Sequence, residues 1–428
     1  MDRRTPVPAT FLLCLLCLLP PAAAGEPGED TLPAITLAEA EARALSRNPL
    51  LREGDLSAEA ADALLFQAGR LPNPTVELEA ENIAGNGPFR GTGAAEWTLS
   101  LAQVIPLGGK RAARRALSRV ELDLARLARE ERRLSVLAGT RAAFHRALVA
   151  QERVVLREEM LRLARRFAET VHRRVEAGRA APVEGIRARV EVSRARTALA
   201  RARRNRTAAR AALAATWGAL APDFSRVRGN LPVPRAAPPW EKLLDALERT
   251  PAIRTLAARR ARAAAAARRE RVRAIPDPEF RVGARRFADT GDRAWIASAG
   301  IPLPVLDRNR GARRAARLGK VREELSARAA RAELVAALRA VRARLAAAEE
   351  ELASLRNEVV PSAEEAFRLV ETGYREGKFG FIDVLDARRD LVAARELLLD
   401  AGLEVLLARV ELDLRTADAL RVPPGVAR

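Results

Sequence analysis

"VIPLGGKRAARRA" (104–116) and "GIPLPVLDRNRGARRA" (300–315) decide the fold, because they are two versions of one motif about 200 residues apart. In each version an apolar run ends in Ile-Pro-Leu, and a basic, alanine-rich segment follows. Further along, "FAETVHRRVEAGRAAPVEGIRARVE" (167–191) is matched by "FRLVETGYREGKFGFIDVLDARRD" (367–390). The sequence therefore predicts an internal tandem repeat, with units at 35–228 and 241–421 joined by a Pro-rich linker at 229–240.

Two β-strands are predicted ahead of each motif. "TVELEAE" (75–81) alternates, with Val76, Leu78 and Ala80 on one face and glutamates on the other. Period-two alternation is typical of a strand with one wet face. The same reasoning predicts strands at about 75–82 and 97–105 in the first unit, and at about 279–286 and 294–301 in the second. The residues expected to face a wet interior are Glu77, Glu79, Glu81, Arg281 and Arg285.

The rest of each unit has the composition of long helices. Aromatic residues make up only 4% of the chain, and Ala, Arg, Leu and Glu dominate. From Leu334 to Val359 apolar residues recur at four-three spacing, which is the seam of a coiled coil. We expect a mainly α protein with a small β part, whose long helices span about 112–177, 183–217, 312–372 and 381–418.

The N-terminus reads as a signal peptide over residues 1–24. Arg3 and Arg4 precede the apolar run "FLLCLLCLL", and a small-residue stretch follows. Both cysteines, Cys14 and Cys17, lie in this segment, so we expect an exported protein without thiols or Cys metal ligands. Beyond it no apolar run reaches the roughly 18 to 20 residues of a membrane-spanning helix. Any membrane crossing is therefore expected to use strands.

The formal net charge of +20 raises nucleic acid as a partner. The basic residues are interspersed with Glu and Asp along whole helices, and they do not form one block with interleaved aromatic residues. Together with export, this favours charge spread over solvated helix faces and no nucleic-acid partner.

Four strands are too few to close a membrane barrel, because an open edge would leave unpaired backbone groups in hydrocarbon. We therefore expect the chain to share its strands with other copies. Three copies would give a 12-stranded outer-membrane β-barrel in contact with lipid. The long helices would continue it as a coiled-coil α-helical barrel.

Several stretches together resemble the TolC-like outer-membrane efflux proteins. They are "NP" (48–49), "LPNP" (71–74), "PLGGKR" (106–111), "PLPVLDRNRG" (302–311) and "GYREGKFGFIDVLDARRD" (373–390). "PLGGKR" and "DRNRG" are most similar to the heavy-metal efflux branch, the CzcC-like proteins. The resemblance implies a homotrimer in the outer membrane with a periplasmic helical extension. It also implies a passive exit duct that receives substrate, here heavy-metal cations, from an inner-membrane pump of RND type through a periplasmic adaptor.

The same resemblance assigns a channel gate at the periplasmic tip. The family's "DVLD" aspartates fall on Asp383 and Asp386, and a threefold ring of carboxylates at a narrow mouth favours cations. Tyr374 matches a tyrosine that hydrogen-bonds an acidic residue of the neighbouring hairpin, here Glu184. The turn and hinge glycines are Gly178, Gly373 and Gly377. One departure is Phe379, because the best understood members have an arginine there, so fewer charge-assisted links are expected.

The same residues raise other possible functions. Asp383 and Asp386 could be an acid and base or metal ligands, but catalysis needs convergent nucleophile and base groups, so no enzyme is expected. His145 and His172 are the only histidines, too few for a selective soft-metal site, so neither a metal site nor a cofactor is expected. The remaining alternatives are a periplasmic coiled-coil adaptor and an outer-membrane channel for drugs or secreted proteins.

Overall fold

The computed structural model describes residues 32–417. The predicted signal peptide at 1–24, and the last residues of the unit predicted at 241–421, lie outside these residues. The described chain is mainly helical, as the composition predicts, with two small sheets. The strands are β1 (Ala34–Thr36), β2 (Thr75–Glu81), β3 (Glu96–Val104), β4 (Arg226–Arg228), β5 (Glu279–Phe287) and β6 (Arg293–Gly300).

Each of the two units combines short helices with two long ones. The short helices are α1 (Leu37–Arg47), α2 (Pro49–Ala68), α5 (Trp240–Glu248) and α6 (Pro251–Arg273). In the first unit the long ones are α3 (Lys110–Glu176) and α4 (Pro182–Ala215). In the second unit they are α9 (Phe381–Thr416) and one continuous helix made of α7 (Arg310–Ser354) and α8 (Val360–Glu376). At about 1.5 Å per residue, α3 alone is a rod of roughly 100 Å. No helix among residues 32–417 is long and apolar enough to cross a membrane.

The larger sheet has four antiparallel strands in the order β2-β3-β5-β6. The register aligns Val76 with Leu101 and Leu101 with Val282, so one face is continuously apolar, and all three side chains are exposed. On the other face Arg281 is ion-paired with Glu77, and Arg285 contacts Glu81 at 2.6 Å. Glu79 lies on this same face, opposite Thr98. The sheet thus has one apolar face and one charge-paired face, and its edge strands are β2 and β6.

The long helices pack side by side. Helix α3 lies between α4 and α9, and α9 lies in turn against α7 and α8. The seam between α7 and α9 is buried at Leu338, Val341 and Leu345 against Val405 and its neighbours. This seam joins the two long helices of the second unit.

The helix predicted at 312–372 differs from expectation in one feature. It runs from Arg310 to Glu376 but contains a π-helical turn at Leu355–Val359 just before Pro361. Proline has no N–H to donate and crowds the preceding turn, and the wider π-turn relieves this. The extra residue shifts the seam by one position, so Val360 is buried while Val359 is 41% exposed.

Two features were not anticipated from the pattern of the sequence. One is the parallel pair of β1 and β4, which aligns Ile35 with Val227. The other is the set of short helices that precede the strands in each unit. Helix α1 begins at a capping box in which Thr36 and Glu39 satisfy each other's backbone N–H groups. In the first unit these elements pack around Phe144 of α3 and Trp217, whereas α5 packs against the seam of α7 and α9.

Candidate functional site

The turns of the two long hairpins lie at the same end of the molecule and are built alike. Gly178 and Gly377 follow the helix ends with φ of 68° and 82°. The backbone N–H of Arg179 donates to the carbonyl of Arg174, and that of Lys378 to Gly373, both at 2.8 Å. These are Schellman helix ends, which need a left-handed residue and therefore favour glycine. We call this end the tip.

Gly373 has a different role from the one expected. It lies inside α8 without a positive φ, so it does not supply turn flexibility. A Cβ placed on Gly373 would collide with the ring of Phe379. Glycine fits here because the Phe379 ring lies directly against the backbone.

Tyr374 joins the two hairpins. It is 2% exposed, its ring lies 5.4 Å from that of Phe167, and its hydroxyl donates a 3.2 Å hydrogen bond to Glu184 on α4. Burial, together with the nearby Glu184 carboxylate, raises the pKa of Tyr374 to about 12. The tyrosine therefore stays neutral and remains a hydrogen-bond donor across the physiological pH range.

Arg174 adds a charge-assisted link that the sequence did not suggest. Its guanidinium lies 4.3 Å from the centre of the Tyr374 ring and donates a hydrogen bond to the Tyr374 carbonyl. In the second hairpin, Phe379 stands where related proteins were expected to have an arginine. In the first hairpin, Arg174 provides a connection between the same two segments.

A buried ion pair forms a second connection, about two turns of α4 further from the tip. Arg388 on α9 donates to Glu191 on α4, and these side chains are only 8% and 11% exposed. Burial lowers the pKa of Arg388, while Glu191 opposes the shift. Arg194 also contacts Glu191 at 2.8 Å. A signal was present in the sequence, because Arg388 continues the apolar spacing of Phe381, Val384 and Leu385.

The three aspartates in the first three turns of α9 are exposed in the protomer. Asp383 accepts a 2.7 Å hydrogen bond from the backbone N–H of Gly380, which caps the start of α9. Asp386 is 3.3 Å from Arg389, and Asp390 lies one turn further on. Carboxylates in the first turn of a helix also interact favourably with its dipole. Asp383 therefore has a local structural role in addition to any role at a channel mouth.

Neither histidine belongs to a cluster of metal ligands. Within residues 32–417 no group of three or more His, Cys, Asp or Glu side chains could hold a metal ion. Burial lowers the pKa of His145 to about 4, and its ring meets Phe144 edge-on. His172 is exposed and lies 3.3 Å from Glu176 on its own helix.

The profile of a known family matches most of the chain. The family is described as "Outer membrane efflux protein", and it matches residues 42–219 and 243–417, one match for each unit. The chain belongs to the outer membrane efflux protein family. As a member, it is an efflux channel protein of the outer membrane, which replaces the alternative of a periplasmic adaptor.

Individual relatives agree with this assignment. The chain is 32% identical to the cobalt-zinc-cadmium resistance protein CzcC of Cupriavidus metallidurans, over 84% of this chain and 85% of that protein. It is 29% identical to the nickel-cobalt-cadmium resistance protein NccC of Alcaligenes xylosoxydans xylosoxydans, over 72% and 70%. The CmeC outer membrane channel of Campylobacter jejuni has the same fold, with a TM-score of 0.75 at 17% identity over 89% and 85% of the two chains.

Proposed function

We propose that this outer membrane efflux protein is the passive exit duct for divalent heavy-metal cations in a three-part export system. Three copies form the duct, which receives its substrate from an inner-membrane pump of RND type through a periplasmic adaptor. The duct has no catalytic role. The metal substrate rests on the similarity to two metal-resistance proteins along most of the chain.

The observation that carries the channel proposal is the four-stranded sheet. Its apolar face, with Val76, Leu99 and Val282, is 57% to 69% exposed in the protomer, which suits contact with lipid. Its opposite face is charged and internally ion-paired, which suits a wet lumen. Since a lipid-exposed edge is not tolerated, strands β2 and β6 must pair with those of neighbouring copies, and three copies supply 12 strands.

At the tip we assign the gate to the contacts between hairpins and to the exposed aspartates. The Tyr374–Glu184 hydrogen bond holds the second hairpin against the first. Asp383 and Asp386 would then be repeated three times around the mouth. Clustered carboxylates concentrate negative potential, so the mouth favours cations over anions.

Single-channel conductance of the purified protein in planar bilayers tests the channel. We expect small, cation-preferring steps, and Tyr374→Phe should raise the open fraction because it removes the hydrogen bond to Glu184 while keeping the ring. Folded, inserted trimers of Tyr374→Phe with the same low open fraction as the parent would contradict the gate assignment.

Deletion of the gene in its host tests the substrate class. We expect lower tolerance to zinc, cobalt or cadmium, restored when the intact gene is returned. Unchanged metal tolerance together with higher sensitivity to organic compounds would replace the metal proposal with drug export.

A further inference from the structure

Away from the turns, two edges of the tip-proximal half are left uncovered by the rest of residues 32–417. The helix order places α4 at one edge and the α7–α8 rod at the other. Along these edges Ile186 on α4 is 53% exposed, and Val359 in the π-turn is 41% exposed. Exposed apolar residues at opposite edges suit a head-to-tail contact that closes into a ring.

The internal repeat gives a template for this contact. Gly178 corresponds to Gly377 and Glu184 to Asp383, so a shift of 199 residues relates α4 to α9 and α3 to α8 near the tip. Inside the protomer α3 and α9 pack against each other. Within the protomer the equivalent contact, between α8 and α4, is confined to the region near the tip, where Tyr374 donates to Glu184. Further from the tip this contact is left to two copies.

The exposed apolar residues follow this template. Ile186 corresponds to Leu385, which is buried in a cluster with Phe167. Val359 corresponds to Met160, which is 4% exposed and packs with Leu399. The residues left exposed in the protomer thus correspond to residues that are buried where α3 packs against α9, which we call the inner contact.

The charges of the two edges are complementary. Helix α4 has nine arginines and two glutamates, whereas residues 349–376 on the other edge have eight glutamates and three arginines. Across the inner contact, Arg395 on α9 meets Glu159 on α3 at 2.8 Å. The shift of 199 residues carries this pair onto Arg196 and Glu358.

Arg196 and Glu358 are available for such a pair. Both are exposed, and neither has an ion-pair partner among residues 32–417. Glu358 receives only a 3.4 Å contact from the Ser354 hydroxyl. They lie at the same level, because Arg196 is 18 residues beyond Gly178 and Glu358 is 19 residues before Gly377.

We propose that Arg196 of one copy pairs with Glu358 of the next, so that the basic α4 edge docks on the acidic α7–α8 edge around the ring. This inference rests on the proposed trimer and adds the surfaces and the register by which the copies join. The pair repeats the inner Arg395–Glu159 pair, so successive hairpins around the ring make the same kind of contact.

Cross-linking in the mature protein tests the pairing, because both cysteines of the sequence, Cys14 and Cys17, lie in the predicted signal peptide. The variant Arg196→Cys/Glu358→Cys is treated with a short bifunctional maleimide, since a direct disulfide would demand closer backbones than a long-chain ion pair does. We expect covalent dimers and trimers. The two single variants should give none, and neither should Arg196→Cys/Glu333→Cys, whose second site lies roughly 37 Å further along the rod.

Charge exchange provides an independent readout. Arg196→Glu and Glu358→Arg should each lower the temperature at which trimers dissociate, and the double exchange should restore it. Trimers by light scattering without the specific cross-link would overturn the pairing but leave the channel intact. Monomers from the unaltered protein would overturn the proposed trimer and this inference together.

Discussion

Removal of Glu191 should open the tip more than removal of its partner Arg388. Glu191→Leu leaves the Arg388 guanidinium buried at 8% exposure, and one of its nitrogens, Nη1, already lacks a hydrogen-bond partner among residues 32–417. Arg388→Met leaves Glu191 with a second arginine, Arg194, at 2.8 Å. The two single variants therefore have unequal consequences for the same ion pair.

The expected losses in the free energy of opening follow from the cost of an uncompensated buried charge. Loss of one partner of a buried pair costs about 3 to 5 kcal/mol, and we assign Glu191→Leu to this range. Arg388→Met should cost about 1 to 2 kcal/mol, because Arg194 still neutralises Glu191. The double variant Glu191→Leu/Arg388→Met should lie within about 1 kcal/mol of the parent, since apolar replacements of similar volume are often neutral.

Hydrogen exchange of the detergent-solubilised protein measures these differences locally. Amides of α4 and α9 near the tip report the free energy of opening there. A loss of about 3 kcal/mol corresponds to roughly 100-fold faster exchange. The same variants in planar bilayers should show a higher open fraction in the same order.

Arg389→Met is the matched control for this series. Arg389 is 56% exposed and only 3.9 Å from Glu191, so its removal should change the opening free energy by less than about 1 kcal/mol. Amide exchange at the tip that is no faster in Glu191→Leu than in Arg389→Met would refute the cost assigned to the buried Arg388 charge. Exchange in the double variant as fast as in Glu191→Leu alone would refute it as well.

Three further predictions concern other parts of the molecule. Asp383→Ala/Asp386→Ala should raise by about tenfold the concentration of a multivalent cation that blocks half of the conductance. A tenfold change corresponds to a loss of about 1.4 kcal/mol of ion-binding free energy. An unchanged blocking concentration would show that these residues do not line the mouth. His145 has a pKa lowered from 6.5 to about 4, so the folded state resists protonation, and stability should fall as the pH drops from 6.5 towards 4. Comparison of His145→Asn with the parent in thermal unfolding should show a shallower pH dependence, and an unchanged slope would contradict the assignment. Gly373→Ala should destabilise the tip by about 1 to 3 kcal/mol, because the added Cβ collides with the Phe379 ring. Adding Phe379→Ala to this variant should restore the hydrogen-exchange protection of the tip. Parental protection in Gly373→Ala alone would show that the ring moves freely.

The architecture could be predicted because its signals repeat. Strict alternation in "TVELEAE" and four-three spacing before Pro361 are long-range patterns that single substitutions do not erase. The mainly α fold with one four-stranded sheet is confirmed on this basis. The Tyr374–Glu184 hydrogen bond is also present, although its role in gating stays a prediction.

What could not be predicted depends on backbone detail that spacing does not encode. The π-turn at Leu355–Val359 adds one residue to the helix and exposes Val359, which the unbroken spacing had placed in the seam. The collision that a Cβ at position 373 would meet depends on where the Phe379 ring lies, two residues beyond the turn glycine Gly377. Arg174 was equally hidden, because its partner is a backbone carbonyl in the other repeat.

The two repeats have diverged in the way their equivalent positions are used. Glu184 turns inward to Tyr374, while its equivalent Asp383 is exposed and caps its own helix. The equivalent of Tyr374 in the first repeat is Val175, so the tyrosine contact has no counterpart. Two identical hairpins could not use one carboxylate for a contact between hairpins and leave the equivalent carboxylate exposed. On the gate proposed above, divergence at these positions would let the first hairpin hold the second in place while the exposed aspartates of the second hairpin face passing cations.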